Sequence, residues 1–167
     1  SLTTEGFALA EGYRLLGEAI RSGCEIGAVL VARSARLGVE ERWRELGDLR
    51  RLITVADSVM EKIAATEHTQ GVLALVRPPR WQLADLFAER APVVVLDGIR
   101  EPGNAGAILR VAEAFGAGGC ALLKGTVDPF NPKTIRASAG SVFRLPIVSG
   151  LGAPELPEAA RRRGLPL

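Results

Sequence analysis

The 167-residue sequence is poor in several chemically useful residues: one histidine, one methionine, two cysteines, and aromatics at only 5%. A lone histidine with two cysteines does not make a zinc site, and no metal is expected. Apolar runs such as Val93-Val94-Val95-Leu96 fall far short of the roughly 20 residues that span a bilayer as a helix. The opening residues carry no charged-then-apolar leader. Cys24 and Cys120 lie far apart among apolar or small neighbours, so buried free thiols in a reducing cytoplasm are expected. A membrane protein, a disulfide-stapled secreted domain and a zinc enzyme are all poor readings of this composition.

Lysine is scarce as well. Lys62, Lys124 and Lys133 are the only ones among 21 basic residues, and the rest are arginine. The guanidinium is a planar fork of donors suited to phosphate, although a GC-rich genome gives the same bias without functional meaning. Residues 1–90 hold 12 basic and 13 acidic side chains, whereas residues 91–167 hold 9 and 6, net +3. That asymmetry points the second half toward a polyanion.

Hydrophobic residues at 47% and charged residues at 24% describe an ordinary globular chain. In its first half, Leu9, Tyr13, Leu16 and Ile20 have helical spacing within Phe7–Ile20. Strands are expected at Ile26–Ala32, Leu52–Val55 and Val72–Val76, with a charged helix over Val39–Leu46. Asp57 and Ser58 are placed to cap a helix running to about Ala65, and Thr66–Gly71 reads as a loop. Pro78-Pro79 blocks continuation, leaving a short connecting helix over Trp81–Arg90. The second half alternates strand and helix: Val93–Asp97, Asn104–Phe115, Cys120–Lys124, a short helix opened by Asn131-Pro132 and closed at Gly140, Leu145–Val148, then Glu155–Arg163 ended by Gly164. Such alternation predicts an α/β fold with a mostly parallel sheet covered on both faces. The sequence opens without methionine and stops after Leu165-Pro166-Leu167, where another strand is due, so a piece of a longer protein is expected.

The loop from Asp97 to Gly106 follows a strand and opens a helix, a place where backbone amides bind anions. Its glycines at 98, 103 and 106 do not spell a dinucleotide fingerprint, and Lys133-Thr134 lacks the glycine of a P-loop. In the helix that follows, Ile108, Val111, Ala112 and Phe115 form a stripe expected to face the core. Arg110 lies off that stripe, and Asn104 stands at the helix start, where it serves either as a cap or in a site. His68 reads as a loop hydrogen-bonder, and Ser138-Ala139-Gly140-Ser141 as a small-residue turn. No serine, histidine and acid can be matched into a triad.

Two blocks carry a specific resemblance. Leu96-Asp97-Gly98-Ile99-Arg100-Glu101-Pro102-Gly103-Asn104-Ala105-Gly106-Ala107-Ile108-Leu109-Arg110 resembles the first motif of the SpoU/TrmH branch of the SPOUT RNA methyltransferases. Asn131-Pro132-Lys133-Thr134-Ile135-Arg136-Ala137-Ser138-Ala139-Gly140-Ser141 through Arg144-Leu145-Pro146 resembles the second. Upstream, Glu11-Gly12 and Gln70-Gly71-Val72 are similar, more loosely, to a ribosomal-protein-like RNA-binding domain. The resemblance implies a small α/β RNA-binding domain over residues 1–76, a linker over 77–91, and the first part of a SPOUT domain over 92–167, whose trefoil knot belongs to the complete protein.

The activity so implied is methyl transfer from S-adenosylmethionine to a ribose 2′-hydroxyl of ribosomal or transfer RNA, by a cytoplasmic homodimer. Asn104 and Arg110 match the functional asparagine and arginine of the first motif. Arg100, Glu101, Arg136, Ser138, Gly140 and Arg144 are the accompanying candidates for RNA binding or the active-site loop. Most cofactor contacts, supplied by a third motif, are expected beyond Leu167. The alternatives are an RNA-binding protein without transferase activity and a nucleotide-dependent enzyme of ordinary doubly wound topology.

Overall fold

A computed structural model describes residues 1–43, 52–66 and 68–162. The chain divides into two compact units, Ser1–Pro78 and Pro79–Leu167.

The first unit is built on a four-stranded sheet. Its elements are β1 (Ala8–Glu11), α1 (Tyr13–Arg21), β2 (Glu25–Ala32), α2 (Arg36–Trp43), β3 (Leu52–Val55), α3 (Asp57–Ile63) and β4 (Val72–Arg77). The strand order is β1-β4-β2-β3, with β4 antiparallel to both neighbours and β2 parallel to β3. Leu73, Ala32 and Met60 centre a core under Leu9, Leu30 and Val55. The helix expected over Phe7–Ile20 therefore begins only at Tyr13. Residues 8–11 alternate buried and half-buried and pair with β4, so long-range pairing overrides the helical spacing of Leu9. Gly12, at φ 91, makes the turn between strand and helix. The helix expected over Val39–Leu46 is α2, whose expected last residues, 44–46, lie outside the described ones. Asp57 does not cap α3; the cap position is Ala56, and the Asp57 carboxylate accepts from the amide and hydroxyl of Ser34.

The second unit has a three-stranded parallel sheet, β5-β6-β7, from β5 (Val93–Leu96), β6 (Gly119–Leu123) and β7 (Ile147–Leu151). Helices α4 (Pro102–Ala114) and α5 (Pro132–Ala137) follow the first two strands, and α6 (Glu155–Arg162) follows the third. Ala121, Leu151, Leu156 and Ala160 pack on one face with Leu86 and Phe87. By strand alternation the buried Cys120 and Leu122 point to the other face, toward α4. The expected connecting helix over Trp81–Arg90 is only a single 3₁₀ turn, Asp85–Phe87, because Leu86 and Phe87 are drawn into this core. The last strand starts at Ile147 rather than Leu145, and Arg163 and Gly164, expected to end the final helix, lie outside the described residues.

The face of α4 also differs from the expectation. Its buried residues are Ala105, Gly106, Leu109 and Ala112. Val111 is 54% exposed and Phe115, just past the helix, 87%. Of the expected core stripe only Ala112 is buried. Small side chains let α4 approach its neighbours closely, with Leu109 buried beside them, while Val111 and Phe115 are left on the outside.

Candidate active site

Parallel strands deliver their following loops to the same edge of a sheet, which is where α/β folds bind ligands. Here the loop after β5 (residues 97–101) and the loop after β6 (residues 124–131) meet at that edge. The Val127 amide donates to the Ile99 carbonyl at 2.8 Å, and the Thr126 hydroxyl to the Leu96 carbonyl at 3.0 Å. Each loop then opens a helix with proline in its first turn. Asn131 caps α5 as expected, its side chain accepting from the Lys133 amide at 2.9 Å. Asn104 does not cap α4. Pro102 starts that helix two residues earlier than expected, the cap position is Glu101, and Asn104 becomes its third residue.

The two motif blocks pack directly on each other. A Cβ placed on Gly106 would lie 2.5 Å from the Thr134 carbonyl oxygen, 2.6 Å from the Ala137 Cβ and 2.9 Å from the Ser138 nitrogen. Only glycine admits α5 at this distance. Beyond α5 the chain turns through Ala139 at φ 51 and Gly140 at φ 93, then enters a 3₁₀ turn, Ser141–Phe143. A left-handed alanine is uncommon, and it persists where the surroundings fix it. Ser138 is buried and its hydroxyl donates to the Ile135 carbonyl at 2.8 Å. Ser138 and the buried Gly140 thus build the turn of this loop.

Arg144 reaches back to α4. Its Nε donates to one Glu113 carboxylate oxygen at 2.5 Å and its Nη2 to the other at 3.0 Å, a bidentate pair. The Arg144 hydrogen bond above all holds the Glu113 carboxyl below the ordinary glutamate range, against the opposing effect of partial burial; the Ser141 hydroxyl adds to it. Glu113 was not legible as a site residue. The available signal was that α4 carries only two charged side chains, Arg110 and Glu113, three apart on one side.

Arg100, Asn104, Arg110 and Arg136 are all exposed. Arg110 stands between the two anchor points, four residues after Gly106 and three before Glu113. Asn104 is six residues from Arg110, about 120° around the helix and about 9 Å along it, so the two do not share a face. Instead Asn104 lines up with Ile108, Val111 and Phe115. Among the described residues no group of three or more His, Cys, Asp or Glu is placed to hold a metal ion.

In the first unit, β1 and β4 bring the two looser motifs together. The Gly12 amide donates to the Val72 carbonyl at 2.9 Å, and Gln70 Oε1 accepts from the Tyr13 amide at 3.2 Å. The Glu11 carboxylate accepts from the Ala65 amide at 3.0 Å and from the Thr66 hydroxyl.

Comparison with known proteins covers both units. Residues 91–164 match the SpoU rRNA Methylase family, and residues 3–74 the MRM3-like substrate binding domain. The chain is 31% identical over 140 residues to the 23S rRNA (guanosine(2553)-2′-O)-methyltransferase RlmP of Bacillus subtilis, covering 84% of this chain and 53% of that protein. It is 34% identical over 155 residues to the 23S rRNA (adenosine(1067)-2′-O)-methyltransferase of Streptomyces laurentii, again over 84% of this chain and 53% of that one. The crystal structure of the SpoU methyltransferase AviRb from Streptomyces viridochromogenes, in complex with AdoMet, superposes with a TM-score of 0.84 at 26% identity, covering 96% of this chain and 61% of that one. The chain thus spans about half the length of these curated relatives. With both units matched and the two motif blocks packed on one another at a single sheet edge, residues 91–164 form a SpoU methylase family domain, preceded by an MRM3-like substrate-binding domain over residues 3–74.

Proposed function

We propose that the protein containing this chain transfers a methyl group from S-adenosylmethionine to a ribose 2′-hydroxyl of ribosomal RNA. The observation that carries this reading is the joining of the two motif blocks into one platform, with Gly106 against α5 and Arg110 exposed beside the joint. The relatives' activity on 23S rRNA supports the same substrate class. The first unit would hold the RNA and the second would present the ribose.

A ribose hydroxyl is a weak nucleophile, so its proton must be taken or shared as the new bond forms. Arginine, with a pKa above about 12, does not act as the free base. Arg110 instead orients the hydroxyl and the neighbouring phosphate through its fork of donors, and the phosphate can share the proton. Asn104, on a different face, holds the loop or the substrate rather than Arg110 itself.

S-adenosylmethionine supplies a methyl group already activated by its sulfonium, and that chemistry requires no metal. A cavity of about 420 Å³ in the second unit is lined by Pro92, Val94, Ile108, Val111, Phe115 and neighbouring alanines. Such a lining offers no side-chain partner for the cofactor's carboxylate or ribose hydroxyls, so this cavity does not fit it. Its contacts belong, on this reading, to the part of the relatives' length that the chain does not span. A homodimer in the cytoplasm completes the proposal. The exposed Val111 and Phe115 favour association, and the free thiols of Cys24 and Cys120 fit a reducing compartment.

The test is tritium transfer from labelled S-adenosylmethionine to ribosomal RNA by the full-length protein, with melting temperature followed alongside. Arg110→Ala is expected to abolish transfer without unfolding the protein, since exposed substitutions usually move stability by less than about 0.5 kcal/mol. Arg110→Lys is expected to fail as well, because a point charge does not reproduce the fork. Near-normal turnover in a folded Arg110→Ala protein removes Arg110 from the reaction, and near-normal turnover in Arg110→Lys removes the need for the fork.

A further inference from the structure

Glu113 lies outside both motif blocks, yet it is where one grips the other. Its carboxylate takes both donors of Arg144, and the Ser141 hydroxyl lies on it too. Arg144 and Ser141 belong to the second block, while Glu113 stands three residues beyond Arg110 on the helix of the first. At the other end of the same contact, Gly106 lies against Thr134, Ala137 and Ser138. The 138–145 segment is therefore held on α4 at two points, with Arg110 between them.

On the footing of the methyl-transfer reading above, we propose that Glu113 is a positioning residue: through Arg144 and Ser141 it fixes the second motif block against the helix that carries Arg110. Arg144 acts here as a structural partner and not as an RNA phosphate contact. The pair is only partly covered, with side chains 28% and 36% exposed for Glu113 and Arg144, so its loss need not unfold the unit. Its value lies in geometry, because small displacements of orienting groups cost far more in rate than in stability. Bidentate pairing fixes orientation as well as distance, and lysine at position 144 keeps only the charge.

The experiment measures kcat, the KM for RNA and amide hydrogen exchange over residues 138–145 in the full-length protein with S-adenosylmethionine and ribosomal RNA. Glu113→Gln and Arg144→Gln are each expected to lower kcat by about tenfold or more while leaving the KM for RNA within about twofold. The double variant is expected to be no worse than either single one, since both remove the same contact. Exchange over residues 138–145 is expected to quicken in all three, and the reversed pair Glu113→Arg with Arg144→Glu to recover part of kcat. A raised KM and a flattened salt dependence in Arg144→Gln, with Glu113→Gln unaffected, would make Arg144 a phosphate contact and overturn the proposal. Unchanged kcat in both single variants overturns it too, with wild-type transfer intact. A wild-type protein that transfers no label refutes the methyl-transfer reading itself, and the positioning role falls with it.

Discussion

Cys120 lies in the middle strand of the second unit's sheet without exposed surface, and burial pushes its thiol up to about 12. At neutral pH it is a protonated, inaccessible sulfur that packs as a small apolar group. Cys24 is half-buried, and burial raises its thiol as well. Glu113 is the opposite case: the hydrogen bond from Arg144 above all holds its carboxyl below the ordinary glutamate range. The different environments of the two thiols predict an order of reactivity. With iodoacetamide at pH 8, mass spectrometry of the native chain should find Cys24 alkylated slowly and Cys120 unmodified until denaturant is added. Modification of Cys120 at the rate of Cys24 would mean that β6 is not the buried strand described.

Helix α4 faces two ways, and the two faces predict opposite responses to substitution. Gly106→Ala drives a methyl group into the Thr134 carbonyl, and overpacking of that kind costs about 1–3 kcal/mol. Phe115→Ser removes a ring that is 87% exposed in the single chain and, at concentrations too low for association, should change stability by about 0.5 kcal/mol or less. Denaturant titration of both variants checks the pair of expectations; a larger loss in Phe115→Ser would restore the face that residue spacing favours. That spacing misled for a physical reason. Hydropathy marks Ile108, Val111 and Phe115 as the apolar stripe, but alanine and glycine make the closest helix contact and barely register on such a scale. Where a terminal signal was local, as in Asn131-Pro132, the sequence was enough, because cap and first-turn proline act within three residues. Asn104 has the chemistry of a cap, but Pro102 is the first helical residue, which moves the cap position back to Glu101. Residues 8–11 read as helix because their partner strand lies more than sixty residues away. The motif blocks were legible as sequence, whereas Glu113, whose meaning comes from Arg144 thirty-one residues on, was not.

Each unit has its own sheet and its own buried cluster, and the division falls between Pro78 and Pro79, where two consecutive residues lack backbone donors. Their charges differ, with the 1–90 segment at net −1 and the 91–167 segment at net +3. The first unit matches a substrate-binding domain in spite of its acidic balance, so on the proposed reading its hold on RNA comes from local arrangement rather than net attraction. Arg100, Arg110 and Arg136 stand exposed on the second unit, available to phosphate. Both units are therefore expected to contribute to binding, in different currencies. For the full-length protein on ribosomal RNA, the logarithm of affinity should fall linearly with the logarithm of salt concentration, by about 0.7–0.9 for each phosphate neutralised. Replacing Arg100 and Arg136 by alanine should flatten that slope by up to about two phosphates' worth. Deleting Ser1–Pro78 should weaken binding while leaving most of the slope in place, because the exposed arginines remain. Filter binding across a salt series reads both quantities. An affinity that does not change with salt, or a deletion that leaves it untouched, would rule out a phosphate-held RNA shared between the two units.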